Sequence, residues 1–234
     1  RPFYAIQARG LRGDERPHED FVEAAADYLE EIRRVQPEGP YFLGGFSGGG
    51  ITAYEVAQQL RASGEEVGLL AMLDTPLPRS PDRLGSVDKV KIHLQRLARR
   101  GPGYLVDWVK TRVEWELRKR TQSQEEAGSR PYEFRSQEIE AAFYRALGRY
   151  EIEPFPHPVL LFRPAPGELY DIGGGRRVDD EREFYYEDNG WHHYVPEVSV
   201  HEVPGDHDSM VLEPNVRVLA AHLREALEAA DPNS

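Results

Sequence analysis

The chain has 234 residues, 39% of them hydrophobic and 30% charged, the balance of a sequence that folds around a core rather than one that stays disordered. Its net charge of −12 argues against a nucleic-acid binder, whose phosphate contacts need a basic face. No uninterrupted apolar run approaches the ~18 residues of a membrane span, and the lack of cysteine removes disulfides, thiolate metal sites and a cysteine nucleophile. Length and composition fit one domain over 1–234 and a cytoplasmic protein with no membrane or nucleic-acid partner.

Phe3-Tyr4-Ala5-Ile6 reads as a strand. The sequence opens on Arg1 with no basic-then-apolar signal segment, so the chain is expected to be a piece of a longer polypeptide. A helix follows from about His18 to Val35, because Phe21, Ala25, Tyr28, Leu29, Ile32 and Val35 recur at steps of three and four and share one face. Pro37 and Gly39-Pro40 stop it. Tyr41 to Phe46 is an apolar strand, Gly50 to Ala62 a second helix ended by Gly64, and Val67 to Leu73 a strand apolar enough to be buried on both faces.

From Pro76 to about Glu153 the pattern turns to helices alone, near Val87–Arg100, Tyr104–Arg120 and Ser136–Tyr150. Strands resume with Val159–Phe162 and, after a long polar loop, Val198–Val203, and a helix from about Pro214 to Glu228 closes the chain. The alternation predicts an α/β fold: a mostly parallel sheet flanked by helices, with a helical lid at about 77–153 over the end of the sheet where ligands bind.

The most informative stretch is Gly44-Gly45-Phe46-Ser47-Gly48-Gly49-Gly50, which holds G-x-S-x-G between a strand and a helix. That is the setting of a nucleophile elbow: serine on a strained turn, neighbours without side chains, and a helix N-terminus aiming N–H groups at an oxyanion. A phosphate-binding reading is weak, because neither G-x-G-x-x-G nor G-x-x-x-x-G-K-[ST] can be laid on these residues. His207, in Val203-Pro204-Gly205-Asp206-His207, follows the last strand and reaches the same sheet edge as the elbow.

The acid has two candidate places. Asp74 ends the strand Leu69-Leu70-Ala71-Met72-Leu73, whereas Glu168 and Asp171 sit in the loop after Val159–Phe162, where no carboxylate stands at the strand end itself. Asp74 is preferred. Asp206 and Asp208 flank His207 too closely to turn back on its ring. No metal is expected: His192 and His193 are adjacent, His201 stands apart, and no acidic pattern frames them. His18, His93, His157 and His222 read as surface residues.

Tyr28…Ile32…Gln36-Pro37-Glu38-Gly39-Pro40-Tyr41…Gly45-Phe46-Ser47-Gly48-Gly49…Ala53…Glu55, with Leu73-Asp74-Thr75-Pro76 and Val203-Pro204-Gly205-Asp206-His207, resembles the thioesterase domain that terminates non-ribosomal peptide and polyketide synthases, an α/β-hydrolase family. The likeness covers nearly the whole chain and least the helical middle. It implies that Ser47 takes an acyl or peptidyl chain from a carrier protein's phosphopantetheine arm, that His207 acts as base and then acid, and that Asp74 holds its tautomer. It implies Gly48 as an oxyanion donor, no cofactor beyond the arm that delivers the substrate, and a carrier protein in the same polypeptide as partner. Release is then to water or, with ring closure, to a nucleophile of the chain itself.

The family also opens with a strand and a His-Pro-Gly-Gly-type loop that supplies a second oxyanion donor, and neither is found within these 234 residues, as expected of a truncated piece. A chain without them is expected to fold poorly and to lose about 10²–10³ in rate. Ten basic against four acidic residues between Val87 and Arg120 suggest a face that draws an acidic carrier, with Arg118, Lys119 and Arg120 at its end, or else solvated helix faces. Tyr104, Leu105, Trp108, Val109 and Val113 share a helical face that reads as core packing or the wall of an acyl channel. Gly173-Gly174-Gly175-Arg176-Arg177 reads as a flexible loop rather than a phosphate site. The rival functions are a free-standing proofreading thioesterase, a carboxylesterase or lipase with the same three residues, and a degenerate acyl-binding module.

Overall fold

A computed structural model describes residues 2–13, 15–78, 84–101, 103, 131–179 and 184–230, without the side chains of 131–136. They fall into two compact units, one from residues 1–79, 137–165 and 186–234, the other from 80–136 and 166–185.

The first unit is built on four parallel strands: β1 (Tyr41–Phe46), β2 (Val67–Leu73), β3 (Val159–Pro164) and β7 (Val198–Val203), in the order β1-β2-β3-β7. β2 pairs on both sides, with Met72 opposite Gly45 of β1 and opposite Leu161 of β3. Parallel strands hydrogen-bonded this way need both faces covered, and the side-chain period of two sorts the apolar residues accordingly. Leu70, Met72, Val159 and Leu161 join one core with Tyr54, Leu60 and Trp191. The alternate residues Ala71, Leu160, Phe162 and Val203 join another with Met210 and Leu219.

Helix α1 (Phe21–Val35) starts where the Asp20 carboxylate accepts from the N–H groups of Val22 (2.8 Å) and Glu23 (3.0 Å), which places its start later than the His18 of the periodicity argument. Helix α2 (Gly48–Ala62) begins directly after Ser47 and buries Ile51, Tyr54, Val56, Ala57 and Leu60. Helix α4 (Pro131–Leu147) belongs to this unit from residue 137 on. Helix α5 (Val216–Ala229) lays Leu219, Leu223 and Ala226 on the second core.

In the second unit, α3 (Ser86–Arg100) buries Ile92 against Tyr170, Ile172 and Val178. These belong to an antiparallel sheet of β4 (Tyr170–Gly173), β5 (Arg176–Val178) and β6 (Phe184–Tyr185). The stretch expected as a flexible loop is therefore a hairpin. Gly173, Gly174 and Gly175 take φ of 91°, 68° and 75°, a left-handed run that side chains resist, and the Asp171 carboxylate accepts the Gly173 N–H at 2.6 Å.

Two further expectations are corrected. Phe3–Ile6 forms no strand: a strand is held by its neighbour's backbone, no described segment pairs with it, and Phe3, Tyr4 and Ile6 are 89%, 65% and 45% exposed. His18 is not a surface residue; its side chain is 7% exposed, with Nε2 2.7 Å from Oδ2 of Asp27 and its ring edge-on to Tyr28. Of the expected lid, α3 and α4 are described, whereas residues 79–83, 102 and 104–130 lie outside the described set, and with them the aromatic face at Tyr104–Val113 and the basic run Arg118–Arg120.

Candidate active site

Because β1, β2 and β7 run parallel, whatever follows each of them emerges at one edge of the sheet. Ser47 follows β1, Asp74 follows β2, and His207 follows β7 after a short turn. Three residues distant in sequence meet there for that reason.

Ser47 has φ 52° and ψ −125°, a backbone conformation that only glycine adopts without strain, and it is held by its N–H donating to the Leu73 carbonyl at 2.8 Å. The turn is possible because of what its neighbours lack. A Cβ on Gly45 would lie 2.2 Å from the backbone carbonyl of Gly49, one on Gly48 2.4 Å from the Phe143 ring, and one on Gly50 1.9 Å from Oγ1 of Thr75. Helix α2 then starts at once, so the Gly48 N–H belongs to its first turn, where N–H groups have no intrahelical acceptor and the helix dipole favours negative charge.

Nε2 of His207 stands 3.1 Å from Oγ of Ser47, and its Nδ1 stands 2.7 Å from Oδ2 of Asp74. A carboxylate can only accept, so Nδ1 carries the proton and Nε2 faces the serine with its lone pair. The imidazole stacks on the Phe46 ring, with centroids 4.8 Å apart and planes inclined by 28°. Asp74 is itself at φ 44°, with its N–H donating to the Phe162 carbonyl at 2.6 Å. Its side chain is 18% exposed against 44% for His207, so the carboxylate is largely withdrawn from water while the imidazole remains reachable.

Sequence reasoning missed several parts of this site. Phe46 was only the variable residue of the motif, with nothing to signal a platform for the imidazole. Phe143, on α4, covers Gly48 and meets Phe21 edge to face. Asn189 donates its side-chain amide to Oδ1 of Asp74 (3.4 Å) and to the Thr75 carbonyl (3.2 Å), and the buried Trp191 donates Nε1 to that same carbonyl at 3.0 Å. An Asn-Gly pair signals a turn, which Asn189-Gly190 makes with φ of 53° and 87°. Asp188 ties that turn, accepting from the Gly190 N–H at 3.0 Å and from the N–H and ring of His192 at 2.9 and 2.7 Å. Burial raises the Asp188 pKa, but these hydrogen bonds outweigh it and hold the carboxyl below its ordinary range.

The rival acids are engaged elsewhere. Glu168 accepts from the Tyr170 hydroxyl at 2.6 Å and pairs with Arg100 at 3.0 Å, and these bonds hold its carboxyl low. Asp171 ties the hairpin. Asp206 accepts from both the hydroxyl and the N–H of Ser209. The His192 and His193 rings touch at a tilt, with centroids 3.9 Å apart, and His201 leans on Phe162 and His222. Among the described residues no group of three or more His, Cys, Asp or Glu is placed to hold a metal, and no helix is long and apolar enough to cross a membrane.

A family model described as "Thioesterase domain" matches residues 1–227. Over 76 residues, 32% of this chain and 3% of the relative, the sequence is 50% identical to the polyketide synthase PksR of Bacillus subtilis. Over 87 residues, 35% of this chain and 4% of the relative, it is 45% identical to a dimodular nonribosomal peptide synthase of the same organism. The chain thus spans only a few per cent of the length of these relatives. Among solved structures, a four-domain nonribosomal peptide synthetase bound to AMP and glycine is 27% identical with a TM-score of 0.61, covering 94% of this chain and 17% of that one. The RedJ thioesterase from the prodiginine pathway of Streptomyces coelicolor is similar in fold, with a TM-score of 0.58 over 94% of this chain and 78% of its own at 22% identity.

Proposed function

The chain belongs to the thioesterase-domain family, with an α/β-hydrolase fold, and from that premise we propose that it releases an acyl or peptidyl chain from the phosphopantetheine thioester of a carrier protein by way of an acyl-Ser47 intermediate. The observation that carries the reading is the relay of 3.1 Å and 2.7 Å from the Ser47 hydroxyl through His207 to Asp74, set on a strained elbow.

Nε2 of His207 takes the proton as Ser47 Oγ bonds to the thioester carbon. The carbonyl oxygen becomes an oxyanion, which the Gly48 N–H receives at the head of α2. The C–S bond then breaks, and the imidazolium returns its proton to the departing thiolate. Asp74 stays ionised throughout, fixing the tautomer and stabilising the transient imidazolium. In the second half His207 deprotonates water, or a hydroxyl or amine of the bound chain, which attacks the acyl carbon; the acyl–Oγ bond breaks and the imidazolium returns the proton to Oγ of Ser47. No step calls on a cofactor. That the chain matches a small share of multidomain synthetases supports the reading of a carrier in the same polypeptide.

The test compares acyl groups loaded on a phosphopantetheinylated carrier with the same acyl groups as simple oxygen esters. The expected result is a kcat/KM at least about tenfold higher for the carrier thioester, reflecting binding energy from the arm and carrier. Equal or better turnover of the free ester identifies a carboxylesterase instead, and no turnover of either, with no labelling by a fluorophosphonate, identifies an acyl-binding module.

A further inference from the structure

We propose that Asn189 is a positioning residue for the reaction, holding the Asp74 carboxylate so that its other oxygen is aimed at His207; the inference rests on the function proposed above. Asp74 offers two oxygens in a place largely closed to water, and a carboxylate so placed is costly unless both are bonded. Oδ2 is taken by Nδ1 of His207, and Oδ1 by the Asn189 amide. The orientation of that amide is fixed by its surroundings: both groups it faces, Oδ1 of Asp74 and the Thr75 carbonyl, are acceptors, so the nitrogen and not the oxygen must point to them.

Asn189 is well held for this task. Its φ of 53° is tolerated by asparagine far better than by branched residues. The residues before it are fixed by Nη1 of Arg163, which donates to the carbonyls of Tyr186 and Glu187. The residues after it are fixed by Asp188 and by the fully buried Trp191. Trp191 and Asn189 together donate to the one Thr75 carbonyl, so the backbone next to Asp74 and its carboxylate are held by a single turn. Without the amide the carboxyl group is free to rotate about its last bond, and the imidazole loses the partner that keeps Nε2 on Ser47.

Two variants test the assignment. Asn189→Gly keeps the left-handed backbone and removes the donor, and Asn189→Asp keeps the shape but sets a second carboxylate against Asp74. Kinetics with a small acyl thioester are read beside the fluorophosphonate inactivation rate, the melting temperature and the low-field NMR resonance of the His207 Nδ1 proton. The expected results are a kcat about tenfold to a hundredfold lower for Asn189→Gly and lower still for Asn189→Asp. KM should stay within about twofold, melting should stay close to the parent, and the Nδ1 resonance should shift or broaden. Unchanged kcat and an unchanged resonance in both variants overturn the assignment, as does a loss confined to KM or to melting temperature. A parent chain that neither turns over the thioester nor reacts with the fluorophosphonate overturns the underlying function instead, so the two failures are distinct.

Discussion

Ser47→Ala is expected to lower kcat for an acyl thioester about a millionfold while leaving the fold intact, and adding His207→Ala to it is expected to cost almost nothing more. Residues that act as one relay are not additive: once the nucleophile is gone, its base has no proton to take. Asp74→Ala alone leaves the nucleophile and base in place and costs less, about 10⁴-fold. The same position carries a stability test. At φ 52° and ψ −125° the Ser47 backbone stores strain that a functional site tolerates and a merely structural turn would not retain, on the order of 1–3 kcal/mol. Ser47→Gly relieves that strain, partly offset by the greater freedom of glycine in the unfolded chain. It is therefore inactive yet more stable by about 1 kcal/mol, measured by urea unfolding against the parent. A Ser47→Gly chain no more stable than Ser47→Ala contradicts the account of the elbow.

The second large effect is on folding. In Gly45→Ala the new methyl carbon falls 2.2 Å from the carbonyl carbon and oxygen of Gly49 and 2.5 Å from the nitrogen of Gly50. All three are backbone atoms, so no side chain can rotate away, and β1 must separate from the start of α2 at the point where Ser47 is presented. The expected loss is about 3 kcal/mol or more, with activity falling as well because the elbow opens. Gly49→Ala is the control. Nothing lies within 4 Å of its would-be methyl, and alanine suits a helix better than glycine, so it folds at least as well as the parent. Equal unfolding midpoints for the two variants would show that the strand and helix do not approach as closely as described.

The parts of this molecule that were legible in the sequence are those that depend on local pattern. β1, β2 and β7 have the expected limits, the first two as apolar runs and β7 as a stretch of valines spaced by polar residues, each ended by turn residues or a change of polarity. The elbow was legible because glycine recurs at short spacing around Ser47, and at Gly45, Gly48 and Gly50 the reason is steric, whereas Gly49 meets nothing within 4 Å. His207 and Asp74 were placed by a simple rule, that residues following parallel strands share an edge, and the structure sets both within hydrogen-bonding distance of their expected neighbours.

What was hidden depends on distant partners. Phe3–Ile6 has the composition of a strand, but pairing is decided by a neighbour and not by composition. The β4–β5 hairpin was disguised by the glycines and arginines around it, although Tyr170 and Ile172 alternate with polar residues as a half-buried strand does. Asn189 reaches Asp74 across 115 positions, and nothing in Asp188-Asn189-Gly190 says more than "turn" until the fold brings β2 beside it. His18 likewise carries no sign that Asp27 and Tyr28 enclose it.

The central claim is a covalent one, and the intact mass of the protein tests it most directly. Mixed rapidly with an acyl thioester and quenched in acid, the parent chain should gain the mass of one acyl group, on the peptide bearing Ser47, and lose it again as product forms. Ser47→Gly should gain none. Thioester cleavage with no adduct at any time, or an adduct on another residue that persists in Ser47→Gly, would contradict the account.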